Sequence, residues 1–500
     1  MQDSQIKHVV IVGGGTAGWI SASLLAKTLG KFIKISLIES DRIATVGVGE
    51  ASIPPMVDFN NALGINENAF IQATHATMKL GIQFEGWNQP GHSYMHAFGS
   101  VGKNFPFCDF HHFWVKSQQL GIQSDFWDFS LNYQAAKQRK FAHLKHIEGN
   151  LPGLAYAYHF DAGLYAGLLR THAEQQGVKR LEGTIERVEL CEQSGFVTHL
   201  HLDDATKISA DLFIDCSGLH GLLIDKALNT GFEDWSHWLP CDRAIVVPSE
   251  SATTIKPYTQ SIAHQAGWQW RIPLQHRTGN GIVYASKHMS DQQAEACLLS
   301  NLDGKPLAEP RRITFKTGRR LQQWHKNVVS IGLSSGFLEP LESTSIHLIQ
   351  TAIIRLVKHF PHHGIKQQEI DSFNRQAKIE IERIRDFIIL HYKLNGRDDS
   401  DFWRMCRRMA IPDSLSQKIS LFEHSGKLYR DYDDLFTEVA WQQVMLGQGI
   451  MPRDCHPLTN SITTAQLEEM LTNLKIIIAR NVAKLPAHEN FLQALRGAKG

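Results

Sequence analysis

A glycine-rich turn near the N-terminus has the spacing of a dinucleotide-binding motif. From position 13 it reads Gly-Gly-Gly-Thr-Ala-Gly, which matches GxGxxG. In such a motif Gly13 allows a tight turn, Gly15 lets a pyrophosphate approach the backbone, and Gly18 lets a helix pack closely on a strand. Thr16 and Ala17 complete the cofactor-binding turn, and the partial positive charge at the N-terminus of the helix that follows attracts the pyrophosphate.

The elements predicted around this turn are those that the chemistry requires. We predict a strand at His8–Val12, a helix at Gly18–Leu29 and a second strand at Ile33–Ile38. Glu39 follows the second strand, where a carboxylate can accept hydrogen bonds from an adenosine ribose. A β-α-β start of this kind implies a parallel sheet with a right-handed crossover.

Two further strand ends favour FAD over NAD as the cofactor. Buried strands are predicted at Leu212–Asp215 and Val328–Gly332, and both run into glycine-containing turns. Three such strand ends could converge on one large cofactor. The sequence has no second complete GxGxxG, so a separate pyridine-nucleotide domain is not evident. An FAD enzyme without that domain must receive its electrons from elsewhere.

A candidate anion site lies where the last of these strands leads into a long helix. Ser343 or Thr344 is the predicted N-cap, and Glu342 stands at the same corner. Free backbone amides and the helix dipole favour a small anion at such a position. The alternative is that Glu342 and Ser343 only cap the helix.

Lys79 and a pair of tryptophans could also carry chemistry. Trp268 and Trp270 are two residues apart on a predicted strand and therefore share one face, although ordinary sheet packing explains them as well. A buried lysine is a tunable acid or nucleophile, whereas most lysines are solvated surface residues. The residues alone leave both alternatives open.

The composition excludes several classes of protein. Of 500 residues, 43% are apolar and 20% are charged, so the chain can bury a sizeable core. The 51 basic and 50 acidic residues give a net charge of +1, which argues against a nucleic-acid partner and a polybasic membrane surface. No apolar run approaches the roughly 18 residues of a membrane span, and the polar N-terminus does not resemble a signal peptide.

Cysteine and histidine usage indicates a reducing compartment and no metal. The seven cysteines are scattered and contain no CxxC pair, which favours a cytoplasmic location over a disulfide framework or a zinc ribbon. The 26 histidines lack metal-ligand spacing with a carboxylate partner. We therefore expect no metal site.

The remaining patterns predict an α/β region followed by a helical one. Residues 243–283 alternate like antiparallel strands, while residues 80–150 predict loops and short helices. From residue 344 the chain turns helical, with a helix stopped by Pro361 and a second capped by Asp371 or Ser372. Further helices are predicted at 414–424, 434–446 and 463–483.

These patterns divide the chain into two expected regions. Residues 1–350 are expected to form an FAD-binding α/β unit, in which residues 80–150 are an inserted substrate and tunnel segment. Residues 351–500 are expected to form a mainly helical region that caps the substrate.

Taken together, these segments resemble the flavin-dependent halogenases, specifically the tryptophan-halogenase-like branch, along nearly the whole chain. The resemblance implies an FAD-binding Rossmann-like domain of the GR2, or p-hydroxybenzoate-hydroxylase-like, type with an added mainly helical substrate domain. It rests on the glycine motif with Trp19, on Val46-Gly47-Val48-Gly49-Glu50, on Lys79, on Trp268–Pro273 and on Ser335–Thr344.

The family resemblance also implies an activity. FADH2 from a separate flavin reductase reacts with O2 and halide, either bromide or chloride, to give hypohalous acid. This passes down an internal tunnel to Lys79 and then halogenates a small electron-rich aromatic substrate. Glu342 matches the carboxylate that stabilises the cationic ring and removes its proton.

Other site residues follow from the same resemblance. Thr344 and Ser345 match the positions whose amides hold halide, and Trp268 and Trp270 match a barrier between flavin and substrate. The positions that match flavin contacts, including the mobile strap over the flavin, are Val48, Gly49, Val188, Leu333 and Ile346. The positions that match substrate contacts are Ile82, His96, Phe98 and Trp441.

Two departures from the family pattern bear on the substrate. Ser345 stands where related tryptophan halogenases have glycine, and Trp441-Gln442 stands where tryptophan-specific members have a tyrosine pair. We therefore expect indole or an indole derivative rather than free tryptophan. A tryptophan halogenase proper, an FAD monooxygenase or other oxidoreductase, and a non-catalytic flavin carrier are the alternatives. A homodimer is one assembly that we consider.

Overall fold

The computed structural model describes residues 5–42, 49–431 and 434–497. The chain divides into two compact units, each made of three separated segments. The first comprises Met1–His75, Phe160–His237 and Thr314–Glu382, and the second comprises Ala76–His159, Trp238–Ile313 and Arg383–Gly500. This interleaved division differs from the predicted one, since residue 350 falls inside the helix Ser345–Lys358.

The first unit is built on a six-stranded sheet whose central strand is His8–Val12. That strand pairs in parallel with Lys34–Glu39 on one side and Leu212–Asp215 on the other, which confirms the predicted β-α-β start. Val9 and Ile11 are fully buried, as expected of a parallel sheet covered on both faces. In spatial order the strands are Lys179–Glu182, Lys34–Glu39, His8–Val12, Leu212–Asp215, Val328–Ser330 and Trp324–His325.

Helices and two small sheets complete the first unit. The helix Thr16–Leu29 packs against Ala162–Gln175 and Ser345–Lys358. The other helices are Pro55–Leu63 and Glu67–Thr74, with short helical turns at Gly218–His220, Leu222–Ala227, Gly332–Ser334 and Pro340–Glu342. The remaining strands are Gly49–Ala51, Ile185–Leu190, Val197–Leu202, Lys207–Ile208, Phe232–Asp234, Gly318–Arg320 and Gly336–Phe337.

The second unit contains a seven-stranded sheet. The predicted antiparallel strands within residues 243–283 are confirmed as four of its members. In spatial order the strands are Arg311–Thr314, Arg243–Ser249, Thr278–Tyr284, Gly267–Pro273, Thr259–His264, Gly81–Glu85 and Ser93–Ala97. Thr77–Lys79 pairs antiparallel with Ala157–Asp161 as the edge strand of another, smaller sheet.

The expectation of loops and short helices over residues 80–150 was partly wrong. Helices are present, but Gly81–Glu85 and Ser93–Ala97 are the last two strands at one end of the large sheet. Each has only five residues, and the alternation is interrupted by glycine, histidine and polar residues. Pairing therefore decides their structure: Gly81–Glu85 pairs with Thr259–His264 on one side and with Ser93–Ala97 on the other.

The C-terminal region is helical, as predicted. The long helix Gln367–Lys393 begins before Asp371 and Ser372, so the predicted N-cap was wrong: Gln367 donates to the Asp371 carboxylate one turn along. Every helix in the described ranges is too short or too polar to cross a membrane. The helices that lie wholly within the second unit are Phe110–Gln119, Phe126–Phe129, Leu131–Lys137, Glu148–Asn150, Asp291–Ser300, Asp401–Arg408, Asp413–Ser425, Glu438–Gly447, Pro457–Ser461, Thr464–Lys484 and His488–Gly497.

Candidate active site

The glycine turn has the close backbone contacts that its sequence predicts. Gly13 has φ +107°, and a Cβ at this position would lie 2.4 Å from the carbonyl oxygen of Cys216. A Cβ on Gly18 would lie 1.9 Å from the carbonyl oxygen of Gly13. Both positions therefore require glycine for the packing of helix on strand.

The start of the helix Thr16–Leu29 fits the diphosphate of FAD. Gly15 is the N-cap, no side chain caps the first amides, and the first turn holds no acidic residue. A Cβ on Gly15 would meet no atom within 4 Å, so the space beside the loop is open. Thr16 and Ala17 are the first helical residues, and their amides are available to an anion.

Glu39 lies beside this loop in a network of cationic and aromatic donors. Its carboxylate pairs with Arg180 and lies 3.6 Å from Arg170, and the indole nitrogen of Trp19 donates to Oε2 over 3.3 Å. A carboxylate has about four acceptor sites, so capacity for ribose hydroxyls remains. Neither arginine could be predicted from the sequence, because both follow Glu39 by more than 130 positions and no local pattern links them to it.

The corner before the helix Ser345–Lys358 presents uncapped amides. Ser343 adopts a left-handed conformation with φ +59°, and Thr344 is the N-cap but makes no capping hydrogen bond with its side chain. The first turn of the helix contains no acidic side chain. Glu342 is buried in the turn just before it. Of the two predicted N-caps, Thr344 is correct, and the amides at the helix start are open to a small anion.

A small cavity of about 50 Å³ is lined by residues at several of the predicted flavin and halide positions. Leu333, Thr344 and Ser345 line it together with Arg355 and Glu380, which form an ion pair. This volume accommodates a small ion and a few waters. Ile346 follows directly and is buried, whereas Val188 lies on the strand Ile185–Leu190 and packs against the apolar core of the first unit.

His347 is a buried group at this corner that the sequence analysis did not single out. Its Nε2 lies 3.7 Å from a carboxylate oxygen of Glu380. Burial lowers the pKa of His347, while the Glu380 charge opposes that shift. The side chain therefore stays neutral at physiological pH and adds no cation to the anion site.

The strap predicted over the flavin is described only in part. Val48 lies outside the described residues, as do Val46 and Gly47. Gly49 is buried at the start of the strand Gly49–Ala51. Glu50 follows it, and burial raises the pKa of this carboxyl to about 7.

Lys79 in the second unit is fully buried, which removes the surface alternative. It ends the strand Thr77–Lys79, and its Nζ lies 5.4 Å from the centre of the Phe98 ring. An amine in this position lies against an aromatic face rather than in water.

The predicted substrate residues form one aromatic cluster. Ile82 and His96 are opposite each other on paired strands, and the His96 ring lies 6.5 Å from Phe98. Phe387 connects this pair to the helix Glu438–Gly447, with its ring 5.6 Å from His96 and 4.8 Å from Trp441. Phe387 was not predicted as a site residue, because its spacing marks it only as part of a buried helix.

The two tryptophans lie as predicted on one strand. Trp268 and Trp270 are both buried on Gly267–Pro273, with ring centres 6.0 Å apart. A Cβ on Gly281 would lie 2.2 Å from the Trp270 ring, so glycine at that position leaves room for the indole. Within the described ranges, no group of three His, Cys, Asp or Glu side chains could hold a metal ion.

Comparison with known proteins places this architecture in a family. The sequence profile of the tryptophan halogenases matches residues 8–464. The chain belongs to this family. As a flavin-dependent halogenase it uses FADH2, O2 and a halide ion, as the sequence led us to expect. Enzymes of the family need a separate flavin reductase and an aromatic substrate.

The halogenase resembles solved structures over almost its whole length. A flavin-dependent halogenase from Xanthomonas campestris is 47% identical with a TM-score of 0.95, over 98% of this chain and 99% of that one. A flavin-dependent halogenase from Brevundimonas sp. BAL3 is 46% identical with a TM-score of 0.94, over the same shares. A tryptophan 6-halogenase from Streptomyces toxytricini is 33% identical over 97% of this chain and 98% of its own length. The predicted fold class is thereby confirmed.

Proposed function

We propose that this halogenase brominates or chlorinates a free electron-rich aromatic compound, with indole or an indole derivative as the preferred substrate class. The observation that carries the proposal is the fully buried Lys79, whose amine lies against the Phe98 ring within an aromatic cluster. A buried amine among aromatic rings suits the transfer of halogen to a flat apolar ring.

The first unit supplies the oxidation in this proposal. When bound there, reduced flavin provides with O2 the two-electron oxidation of halide to hypohalous acid. The open space beside Gly15 supports a place for the pyrophosphate, and the uncapped amides of Thr344 and Ser345 support a place for the halide. Leu333 lines the cavity at the same corner and Ile346 is buried beside it, and both would contact the flavin.

Lys79 and Glu342 carry the halogenation. Lys79 holds hypohalous acid, as a hydrogen-bonded species or as a haloamine formed with loss of water. The carbon–halogen bond forms as the halogen leaves oxygen or nitrogen with its bonding electrons left behind, and the ring proton passes to Glu342. A positioned base of this kind contributes roughly 10²- to 10⁴-fold in rate.

The residues at the predicted head-group position support a substrate without an amino-acid group. Trp441 is buried against Phe387, with Lys418 Nζ 4.3 Å from its ring centre. Gln442 is hydrogen-bonded to His111 over 3.0 Å, and Gln443 is bonded to the Ala97 backbone. Since internal contacts occupy these side chains, recognition of a zwitterion is less favoured than packing of a neutral arene against the rings of His96 and Phe98.

A substrate panel tests the proposal. Purified protein is incubated with FAD, NADH, a flavin reductase, and bromide or chloride, with indole, phenol or tryptophan as acceptor. We expect halide-dependent products with the halogen isotope pattern, formed faster from indole than from tryptophan. Hydroxylated products, or products formed without halide, would instead support a monooxygenase. Faster turnover of tryptophan would support a tryptophan halogenase proper.

The proposal also includes a cytoplasmic location and, as an assembly to be tested, a homodimer. All seven cysteines are free, which suits a reducing compartment. Cell fractionation tests the location, and light scattering at several protein concentrations tests the assembly.

A further inference from the structure

Two buried histidines hold the strand that carries Lys79. The strand Thr77–Lys79 has only three residues and lies at the edge of its sheet, so few ladder hydrogen bonds fix it. Thr77 is opposite His159 on the paired strand, and both side chains are fully buried. His488 is likewise buried beside Met78.

The hydrogen bonds around Thr77 define the proton position on His159. Thr77 Oγ1 lies 2.6 Å from the carbonyl oxygen of Pro273, which can only accept, so the hydroxyl donates there. The same Oγ1 lies 3.0 Å from Nδ1 of His159 and must therefore accept a proton from it. Nε2 is then left to accept from the Thr259 hydroxyl at 2.9 Å. The neutral His159 ring therefore carries its proton on Nδ1.

The surroundings of His159 agree with the neutral form. Burial first, and then the charges of Lys79 and His488, lower the pKa of His159 well below its ordinary value. The ring can therefore bond Thr77 firmly without adding a second positive charge beside Lys79.

His488 anchors the next residue in the same manner. Its Nε2 accepts from the backbone N–H of Met78 over 3.2 Å, and its Nδ1 lies 3.2 Å from the carbonyl oxygen of Ile255, to which it donates. Burial lowers the pKa of His488 to about 4. Both residues that precede Lys79 are therefore anchored by neutral rings.

We propose that His159 is a positioning residue for Lys79: through its Nδ1–H bond to Thr77 it fixes the edge strand, so that the lysine amine intercepts hypohalous acid. Thr77 and Lys79 are two residues apart and share a face of the strand, so a displacement of one moves the other. This inference rests on the role proposed above for Lys79.

The test measures which share of the hypohalous acid ends in halogenated product and which share leaves the enzyme as free acid. Wild type, His159→Asn and His159→Gln are assayed for halogenated indole, for free hypohalous acid captured by a β-diketone, and for consumption of reduced flavin. The asparagine amide nitrogen stands as far along the side chain as Nδ1, whereas the glutamine amide reaches the Nε2 position. We expect His159→Gln to lose product by about 10- to 100-fold, with captured hypohalous acid rising and flavin consumption unchanged.

His159→Asn should stay within about threefold of the wild-type yield, since it keeps the bond to Thr77. His359→Asn is the matched control, because both nitrogens of His359 are also hydrogen-bonded, in the first unit. This control should leave the ratio of halogenated indole to trapped hypohalous acid at the wild-type value. If His159→Gln does not fold, Thr77→Val decides the outcome, and it should release hypohalous acid in the same way.

Other outcomes overturn the proposal. If His159→Gln or Thr77→Val gives the wild-type ratio of product to trapped hypohalous acid, the bond between His159 and Thr77 does not position Lys79. A parallel fall of product, hypohalous acid and folding temperature would show a merely structural role. Lys79→Ala separates this inference from the proposed function: if that variant keeps its product, the role of Lys79 itself is wrong. If it loses product while the His159 and Thr77 variants behave as wild type, only the positioning is wrong.

Discussion

The side-chain nitrogen of Lys79 lies 5.4 Å from the centre of the Phe98 ring, within the second unit. The amine thus approaches the aromatic residue that, with His96, is proposed to bracket the substrate. In the proposed function, halogen held on this nitrogen would meet an aromatic ring packed against Phe98. The same unit holds the histidine anchors of the lysine strand, His159 on the paired strand and His488 at the start of a helix.

The first prediction concerns Glu342, which is buried just before the anion corner. Glu342→Gln keeps the size of the side chain but removes its capacity to take the ring proton. We expect halogenated indole to fall by roughly 10²- to 10⁴-fold, while bromide oxidation stays at the wild-type rate. Product analysis with a hypohalous-acid trap checks both. Equal loss of product and trapped acid would place Glu342 in the oxidation step instead.

The second prediction tests the halide amides without altering charge. Ser345 is the first residue of its helix, a position that tolerates proline. Ser345→Pro removes one N–H and should raise the KM for bromide and chloride, whereas Ser345→Ala keeps the amide and should match wild type. Because Thr344 has ψ −7°, which a following proline disfavours, thermal unfolding is measured alongside. An unchanged halide KM in a folded proline variant would exclude this amide as a ligand.

The third prediction separates two glycines of the dinucleotide turn. Gly18→Ala brings a Cβ against the Gly13 carbonyl and should lower the unfolding temperature even without FAD. Gly15→Ala meets no protein atom within 4 Å, so it should unfold like wild type yet bind FAD more weakly. Calorimetry without FAD measures the unfolding temperature of both variants, and titration with FAD measures their affinity for the cofactor. Normal FAD affinity in Gly15→Ala would place the pyrophosphate elsewhere.

Much of the fold could be predicted because its signals are local. The strand His8–Val12, the glycine turn and the helix Ser345–Lys358 follow from patterns within about fifteen residues. His159, Arg180 and Phe387 could not be found in this way. Each contacts a partner that is distant in the sequence. His159 bonds to Thr77, which is 82 positions away, and Phe387 packs against Trp441, which lies several helices later in the chain. Only tertiary pairing brings these residues together.

The fourth prediction concerns pH and stability. Burial raises the pKa of Glu50 from 4.5 to about 7, so the folded chain keeps this proton where the unfolded chain has lost it. The stability due to the protonated carboxyl is therefore present below about pH 4.5 and is lost as pH rises through about 7, at a cost of up to about 3 kcal/mol. Glu50→Gln should raise the unfolding temperature at pH 8 more than at pH 5. The exposed Glu174→Gln is the control, and equal shifts for both variants would contradict the assignment.

The most direct test of the central claim is the fate of halogen in Lys79→Ala. The variant is incubated with FAD, a flavin reductase, NADH, bromide and indole, next to wild type and the exposed Lys137→Ala. We predict retained FAD binding, undiminished hypobromous acid in the trap and loss of brominated indole in Lys79→Ala alone. Brominated indole at the wild-type yield in Lys79→Ala would contradict the proposal that this amine delivers the halogen.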